Sequence, residues 1–305
     1  PAQPSTPSPR HFAMHKFWPR HSPNFMACRV AVRTVQPRDI TVGLSGGADS
    51  LALVAALCAE DYNVNALCGD HGLQPGSHEV AQQAAHHART FGAHAEIISV
   101  TVAPGNLEAN ARTARYHALH SRNLPVVVGH TADDQAETLL LGALRGKATG
   151  MQIHTDNLWR PLLGVRRATT LAACAELGIE PWHDPHNANT DFLRVALRTQ
   201  VVPLLSDIIG GDAVPALSQA ATLIAEDTHA LHVDTPDDRI AQLAGMPPAL
   251  RRRHLVALLQ AYGARVSAAH LRAVDALITN WHGQKAVPVG NGLEVTRKDG
   301  RLSVS

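Results

Sequence analysis

GLSGGADS, residues 43–50, is the stretch of this chain that decides its fold. An apolar run at 40–42 precedes it, and a helix-like run at 51–57 follows it. Glycines let the backbone come close to a ligand, and the amides at a helix N-terminus favour negative charge. The stretch therefore predicts a phosphate-binding loop between a strand and a helix. The alternative is a tight turn without a ligand.

Asp49 separates this stretch from other phosphate loops. A carboxylate among groups that attract anions makes sense when Mg²⁺ is held between it and the phosphates. The stretch has neither the GK[ST] of the Walker loop nor the GxGxxG of dinucleotide folds. It therefore predicts a nucleotide site in which Asp49 helps to hold Mg²⁺.

Short apolar runs alternate with helical segments through the first half of the chain. The predicted strands lie at 39–44, 63–68, 95–100, 125–129 and 157–163. The predicted helices lie at 50–60, 77–91, 107–122 and 165–178. Strands alternating with helices of this length are typical of βαβ units. The predicted fold class is therefore α/β, with a doubly wound, mainly parallel sheet.

The pattern changes near residues 187–210, where we expect a domain boundary. Beyond it, helical spacing of apolar residues covers 190–209, 212–233, 248–262 and 267–281, and a KDG turn at 298–300 separates short strands. Residues 1–23 carry six prolines and no periodicity. We predict a flexible arm at 1–23, an α/β domain at 24–205, and a smaller helical domain with a short terminal β-hairpin at 206–305.

Composition limits the class of protein. Hydrophobic residues make up 45% and charged residues 17% of the 305, which suits a globular protein with a sizeable core. The longest apolar run, at 51–59, is too short to span a bilayer, so we expect no membrane association. The four cysteines include no CxxC pair, which argues against zinc or iron–sulfur ligation and favours reduced thiols in the cytoplasm.

The C-terminal part of the chain is basic, although the net charge is only +1. From Met246 to Arg301, nine Lys and Arg residues stand against three acids, a balance of 9 − 3 = +6. Arg251, Arg252 and Arg253 form the densest cluster. Such a module suits a polyanion, and a solvated helix face is the alternative.

An imidazole and three carboxylates follow the predicted fourth strand. They are His130, Asp133, Asp134 and Glu137. Ligands of open α/β sheets bind at the carboxyl ends of the strands, where the loop with Asp49 also opens. Asp134 and Glu137 can share a helix face and act on Mg²⁺, an ammonium or a proton. The alternative is an acidic helix N-terminus that complements the helix dipole, which we favour for Asp133.

SGGADS also matches the SGGxDS signature of the PP-loop, or N-type, ATP pyrophosphatases. Further stretches resemble, in sequential order, the tRNA(Ile)-lysidine synthetase family. They are GDHGLQPGS at 69–77, NLEANARTARYHAL at 106–119, GHTADDQAETLLLGALRG at 129–146, RPLL at 160–163 and WHDPHNANTDFLRVALRTQVVPLL at 182–205. The resemblance runs from about residue 30 to 210 and more weakly to the C-terminus. It departs from the family at His186, where Ser is common, and at Val195, where Asn is common.

The resemblance implies ATP-dependent ligation of free L-lysine to C2 of the wobble cytidine of tRNA(Ile) with a CAU anticodon. An adenylated cytidine would be the intermediate, AMP and pyrophosphate the other products, and a homodimer is compatible with it. The ATP-binding residues implied are Ser45, Gly46, Gly47, Ala48, Asp49 and Ser50, with Mg²⁺ on Asp49 and Asp134. The catalytic residues implied are Asp49, Arg112, Arg115, His130, Asp134 and Glu137. The substrate-binding residues expected are His71, Asn187, Arg194, Arg198, Arg251, Arg252 and Arg253.

Several alternatives stay open at this point. Arg112 and Arg115 either neutralise phosphates or pair with Glu108, and His71 either contacts a nucleotide or caps a strand. Another PP-loop tRNA-modifying enzyme is an alternative function, but 2-thiolation usually needs suitably placed cysteines. NAD or GMP synthetases would lack a basic helical appendage. A non-catalytic nucleotide- or tRNA-binding protein is disfavoured by the complete set of carboxylates.

Overall fold

The computed structural model describes residues 18–70, 76–99, 118–119, 121–184 and 189–305. The chain divides into two compact units, residues 1–225 and 226–305. The first unit thus continues past residue 205 into the helices that follow, and the boundary proposed there stays a prediction. Residues 1–17 of the predicted arm and most of the predicted helix at 107–122 lie outside the described residues.

The elements of the first unit follow the order expected of βαβ units. Its helices are α1 (Pro23–Val32), α2 (Ala48–Ala59), α3 (Ser77–Phe91), α4 (Ala132–Leu144), α5 (Arg167–Glu176), α6 (Leu193–Ala196) and α7 (Val202–Ile209). Helix α8 (Ala213–Ala230) begins in the first unit, and its residues after Ala225 belong to the second. The strands of the first unit are β1 (Asp39–Leu44), β2 (Asn63–Asp70), β3 (His94–Ser99), β4 (Val126–Val127), β5 (His154–Thr155) and β6 (Leu158–Trp159). A 3₁₀-helix spans Pro161–Gly164, and a π-helix spans Leu197–Val201.

The described strands of the first unit form one sheet in the order β3-β2-β1-β4-β6-β5. All neighbouring strands are parallel except β5 and β6, which pair antiparallel at one edge. Helices connect the parallel strands, as βαβ units require. The predicted α/β class with a mainly parallel sheet is confirmed.

Helix α2 is enclosed because its sequence is apolar on every face. All residues from Ser50 to Leu57 are buried. The helix contacts the sheet together with α1, α3 and α5, and Phe25 and Cys174 belong to the same core. Close packing leaves little room for displacement. The loop at the N-terminus of α2 is therefore held in a defined position.

Two predicted elements differ from the structure. The strand predicted at 157–163 pairs with β4 only over Leu158–Trp159, and the 3₁₀-helix begins at Pro161, which cannot donate to a sheet ladder. The helix predicted at 190–209 is interrupted by the π-helix at Leu197–Val201. Pro203 follows this segment and lacks the N–H that would continue an α-helical ladder.

Helix α7 is apolar but exposed. None of its residues is buried, and Leu204 and Ile208 lie on one helix face, with Ile209 beside them. Within the described ranges, no single helix is long and apolar enough to cross a membrane. One pair of helical segments is long and apolar enough when its members are taken together. The pair is Leu193–Ile209 and Ala213–Ala230, with a bend of 104° between them.

The second unit has a hydrophobic core of its own. Its elements are α9 (Ile240–Gly245), α10 (Pro248–Ala261), α11 (Ala268–Thr279), β7 (Val287–Gly290), β8 (Leu293–Lys298) and β9 (Arg301–Val304). Leu243, Leu255, Leu277 and Val295 lie in that core. The predicted terminal hairpin is β8–β9, and β7 extends it to a three-stranded antiparallel sheet.

The three arginines at 251–253 do not share one surface. Arg251 is only 7% exposed, and its Nε lies 2.6 Å from Oδ1 of Asp275. Its Nη1 also donates to the carbonyl oxygen of Met246. Arg252 is exposed, and Arg253 is half-buried. The expectation that Arg251 binds tRNA is therefore corrected, because the inner face of α10 encloses its guanidinium against α11.

We predict that Arg251→Met destabilises the second unit by about 3 kcal/mol, because the buried Asp275 carboxylate loses its nearest cation and keeps only the more distant Arg252, at 3.8 Å. Replacing both partners, Arg251→Met with Asp275→Leu, should recover most of this loss, since a buried ion pair often exchanges with apolar side chains at little cost. Chemical denaturation of the whole chain, followed by tryptophan fluorescence, measures both changes. Arg265→Met, at an exposed arginine, is the control. Equal stability of Arg251→Met and the parent would contradict the prediction.

Candidate active site

The strand order brings two loops to the same edge of the sheet. Strand β1 pairs in parallel with β4, with Thr41 opposite Val126 and Val42 opposite Val127. The strand order reverses between these two strands, since β1 leads to β2 on one side and β4 to β6 on the other. Open α/β sheets bind ligands at the carboxyl ends of strands at such a reversal. The Ser45–Ser50 loop and the start of α4 therefore open at a ligand-binding edge.

The Ser45–Ser50 loop has the backbone conformation that its glycines permit. Gly46 has φ +83°, in the left-handed region that side chains rarely adopt. Gly47 is the N-cap of α2, so the next amides have no acceptor within the helix. The Ser50 hydroxyl lies 3.2 Å from the Ser45 hydroxyl and donates to the Gly47 carbonyl at 3.0 Å. The loop thus presents amides and hydroxyls of the kind that bind phosphate.

Asp49 lies in the first turn of α2 and contacts α5. The Thr170 hydroxyl donates to its carboxylate, and Nε of Arg167 lies 3.5 Å from Oδ2. Burial raises the pKa of Asp49 above its ordinary value, although Thr170 and Arg167 oppose this rise and Asp134 adds to it. The carboxylate is therefore in a setting where a cation strongly favours its ionised form.

Gly129 allows α4 to begin close to this carboxylate. A Cβ at Gly129 would lie 2.9 Å from the backbone carbonyl oxygen of Asp49, closer than real Cβ contacts. Any side chain would push the start of α4 away from α2. Gly129 is therefore a site residue that the sequence analysis missed.

Asp134 is fixed at the N-terminus of α4. The backbone amide and hydroxyl of Thr131 donate to Oδ2 at 2.8 and 2.9 Å, and Nη2 of Arg167 lies 2.9 Å from Oδ1. Burial opposes ionisation, but Arg167, the Thr131 amide, His130 and Arg194 outweigh it and lower the pKa of Asp134. Asp134 is therefore an oriented, ionised carboxylate, and half-buried His130 lies near enough to favour that state.

Glu137 is enclosed by arginines. Its side chain is only 2% exposed, and Arg198, Arg194 and Arg167 approach its two oxygens to 2.7, 2.8 and 3.2 Å. These arginines come from the π-helix, α6 and α5. Because Glu137 has three guanidinium partners and little exposure, it holds α4 against those elements.

Arg167 joins the three carboxylates and was missed by the sequence analysis. It is the first residue of α5, and its guanidinium contacts Asp49, Asp134 and Glu137. Burial alone would lower its pKa, but these carboxylates raise it above the ordinary value. A cation at a helix N-terminus opposes the helix dipole. An arginine predicted at a helix N-terminus, shortly after RPLL, is therefore unfavourable for the helix. This is the sequence signal by which Arg167 could have been found.

Asp133 has a structural role at the start of α5. Asp133 accepts hydrogen bonds from the Arg166 side chain and the Arg167 amide, so it anchors the start of α5 to α4. The predicted residues outside the described part of the chain are His71, Arg112, Arg115 and Asn187.

The carboxylates suit Mg²⁺ held together with a nucleotide. In the part of the chain that the structure describes, no group of three or more His, Cys, Asp and Glu could hold a metal ion by itself. Mg²⁺ in nucleotide sites usually takes one or two carboxylates and completes its shell with phosphates and water. Asp49 and Asp134, which share Arg167 as a partner, fit that pattern.

Two models of known protein domains match this chain. A model of the PP-loop domain matches residues 24–205, and a model of the TilS substrate binding domain matches residues 239–303. The fold of a U34-tRNA thiolase from Methanococcus maripaludis is similar, with a TM-score of 0.52 at 16% identity over 65% of this chain and 79% of that one. The fold and loop are those of a PP-loop protein.

Sequence relatives then define the family. The chain is 99% identical over 292 residues to a tRNA(Ile)-lysidine synthase of Corynebacterium diphtheriae, which covers 96% of this chain and 100% of the relative. It is 48% identical to those of Corynebacterium glutamicum, over 94% of this chain and 96% of the relative, and Nocardia farcinica, over 87% and 91%. The chain belongs to the tRNA(Ile)-lysidine synthase family.

We predict that Gly129→Ala lowers the rate of ATP-dependent pyrophosphate release about 10²-fold, because the added Cβ displaces α4 from Asp49 and misplaces the reacting groups. Gly164→Ala is the matched control, since a Cβ there meets no atom within 4 Å. The rates are measured at saturating substrates, with thermal unfolding recorded for both variants. A Gly129→Ala variant as active as the control would show that this close approach does not matter.

Proposed function

We propose that the chain joins L-lysine to C2 of the wobble cytidine of a tRNA(Ile) with a CAU anticodon, converting ATP to AMP and pyrophosphate. The observation that carries this proposal is the meeting of the Ser45–Ser50 loop with Asp49, Asp134 and Glu137 at one sheet edge, in a chain of this family. Its relatives are named for lysidine synthesis.

The first step activates the base. The C2 carbonyl oxygen of cytosine is a very poor leaving group, and transfer of AMP onto it makes a good one. Pyrophosphate leaves as the oxygen–phosphorus bond to the cytidine forms. Amides at the start of α2 and the hydroxyls of Ser45 and Ser50 stabilise the charge that develops on the pyrophosphate. Mg²⁺ at Asp49 and Asp134, when bound, neutralises phosphate charge.

The second step forms the carbon–nitrogen bond. The lysine ε-amine is mostly protonated near pH 7, so it must lose a proton before it attacks C2. AMP then departs with the electrons of the carbon–oxygen bond. Asp134 is the candidate that steers the ammonium in this step, after pyrophosphate and its counter-ion have left, and His130 near it is a candidate proton acceptor in its neutral form. Glu137 is a weaker candidate because three arginines enclose it, so we assign it to positioning.

Arginines supply the cationic part of the site. Arg194 and Arg198 have side chains that are 30% and 27% exposed while Glu137 holds them. Their exposed N–H groups suit contacts with tRNA phosphate. Arg112 and Arg115 keep their expected role of stabilising the charge of the adenylate.

The exposed basic residues of the second unit support tRNA binding there. They are Arg239, Arg252, Arg265, Arg272, Lys285, Lys298 and Arg301, of which Arg239, Arg252 and Arg301 are paired with Asp237, Asp275 and Asp238. Most nucleic-acid contacts go to phosphate and sugar and carry no sequence information. We therefore assign to this unit the binding of the tRNA body.

Two further proposals concern the environment of the chain. The cytoplasm is the proposed location, and four free cysteines support it. A homodimer is also proposed, and the exposed Leu204 and Ile208 of α7 support a protein contact.

Thiolation is the less favoured function. Burial raises the pKa of Cys28 and Cys174 to about 12 and that of Cys68 to about 11. A cysteine that carries sulfur must react as a thiolate, which burial of this kind suppresses. These thiols belong to the packed interior instead.

We predict that Asp49→Asn lowers the incorporation of radiolabelled lysine into tRNA(Ile) with a CAU anticodon about 10²-fold or more, because phosphate charge loses a stabilising carboxylate–Mg²⁺ contact. Asp156→Asn, at an exposed turn with φ +51°, is the control, since Asn tolerates that conformation. Full activity of Asp49→Asn would contradict the assignment of Asp49. Transfer of sulfur or ammonia by the parent, in place of lysine, would overturn the function.

We also predict that Arg252→Gln with Arg253→Gln weakens tRNA binding and reduces its salt dependence by about one to two phosphate contacts. Arg251 is left unchanged because it is buried. The charge-conserving pair Arg252→Lys with Arg253→Lys is the control. Binding is measured by fluorescence anisotropy over a series of salt concentrations. An unchanged slope in the Gln variant would place the RNA contact elsewhere in this unit.

A further inference from the structure

The guanidinium of Arg167 lies where the proposed Mg²⁺ ion would bind. Its guanidinium lies 2.9 Å from Asp134 and 3.5 Å from Asp49, the two carboxylates that we assign to Mg²⁺. Arg194 and Arg198 pair with Glu137, and among the described residues only Arg167 forms ion pairs with Asp49 and Asp134. One guanidinium therefore forms ion pairs with both carboxylates.

The environment explains why a cation is needed there. Asp49 and Asp134 are close neighbours, because the same guanidinium lies within 3.5 Å of an oxygen of each. Two neighbouring, largely buried carboxylates repel each other unless a positive charge lies between them. Arg167 supplies this charge from the start of α5, where Thr170, one turn further on, also donates to Asp49.

The same arrangement is unfavourable for a second cation. A guanidinium and Mg²⁺ cannot both lie against the same two carboxylates without strong repulsion. The side chain of Arg167 is long and partly exposed, with 27% of its surface accessible, so it can leave while α5 stays in place. Its guanidinium then needs a new anion, and the phosphates at the adjacent Ser45–Ser50 loop provide one.

We propose that Arg167 is a positioning residue that occupies the place of the divalent cation in the ligand-free enzyme and turns to the nucleotide phosphates when Mg²⁺ and ATP bind. This inference rests on the proposed Mg²⁺ site at Asp49 and Asp134. Its consequence is that Arg167 opposes binding of the metal ion alone but favours binding of the metal together with ATP. Free Mg²⁺ therefore does not occupy the site before the nucleotide arrives.

The test is a pair of binding measurements on the full chain. Mn²⁺ alone is titrated into the ligand-free protein and followed by electron paramagnetic resonance of the free ion. Arg167→Gln should bind Mn²⁺ about tenfold more tightly than the parent, because one repelling charge is lost. The same variant should bind a non-hydrolysable ATP analogue with Mg²⁺ about tenfold more weakly, because one charge-assisted contact is lost.

Two further variants separate this role from a structural one. Arg167→Lys keeps the charge and should bind Mn²⁺ like the parent. Arg166→Gln removes the neighbouring charge, which pairs with Asp133 and Asp212, and should leave Mn²⁺ binding within about twofold of the parent. Thermal unfolding of each variant verifies that it is folded. If Arg167→Gln binds the ATP analogue more weakly but does not bind Mn²⁺ more tightly, Arg167 only contacts phosphate and the inference is overturned.

Two other results of the Mn²⁺ titration would also overturn the inference. Equal Mn²⁺ affinity in the parent and Arg167→Gln overturns the inference while leaving the Mg²⁺ site intact. Absence of Mn²⁺ binding from both proteins, with or without the ATP analogue, shows that Asp49 and Asp134 do not hold the metal and overturns both proposals. Lysine transfer by the parent is measured in parallel, so that either result is separable from failure of the proposed function.

Discussion

Repulsion among three carboxylates in one half-buried space is the constraint on which the rest of the site depends. Asp49 comes from α2, and Asp134 and Glu137 come from α4. The opposing charges come from other elements, with Arg167 on α5, and Arg194 and Arg198 on α6 and the π-helix. Because isolated buried charges are unstable, these elements converge with their charges paired. The ion pairs therefore hold together the elements that form the site.

This charged cluster requires a rigid frame behind it. Helix α2 is buried from Ser50 to Leu57, and parallel pairing of β1 with β4 fixes the spacing of the two loops. Gly129 then permits a backbone approach that no other residue would allow. Packing, pairing and one missing side chain thus set the distances between the loop amides and the carboxylates. A phosphate-transfer site needs such fixed geometry more than it needs particular chemistry from the protein.

The second unit shows why a count of charges differs from a binding surface. The local balance of +6 includes Arg251, whose charge is matched by Asp275 inside the core. Its neighbour Arg252 approaches the same Asp275 only to 3.8 Å and is exposed, so a polyanion can reach its guanidinium. Helical rotation turns adjacent residues by about 100°, so consecutive arginines reach different environments. Exposure therefore decides which of these residues can act on RNA.

The sequence by itself determined the α/β class, the phosphate loop and the family, since these depend on local periodicity, glycine placement and short motifs. The class and the family are confirmed, while the binding of phosphate by the loop and the assignments of single residues to ATP, Mg²⁺ and tRNA stay predictions. Only the tertiary structure decided that Arg167 joins three carboxylates, that Gly129 touches Asp49, and that Arg251 is buried. Each depends on which helices meet and how far a side chain reaches. Spacing along the chain does not encode such distances, because the partners lie tens of residues apart and are brought together by packing.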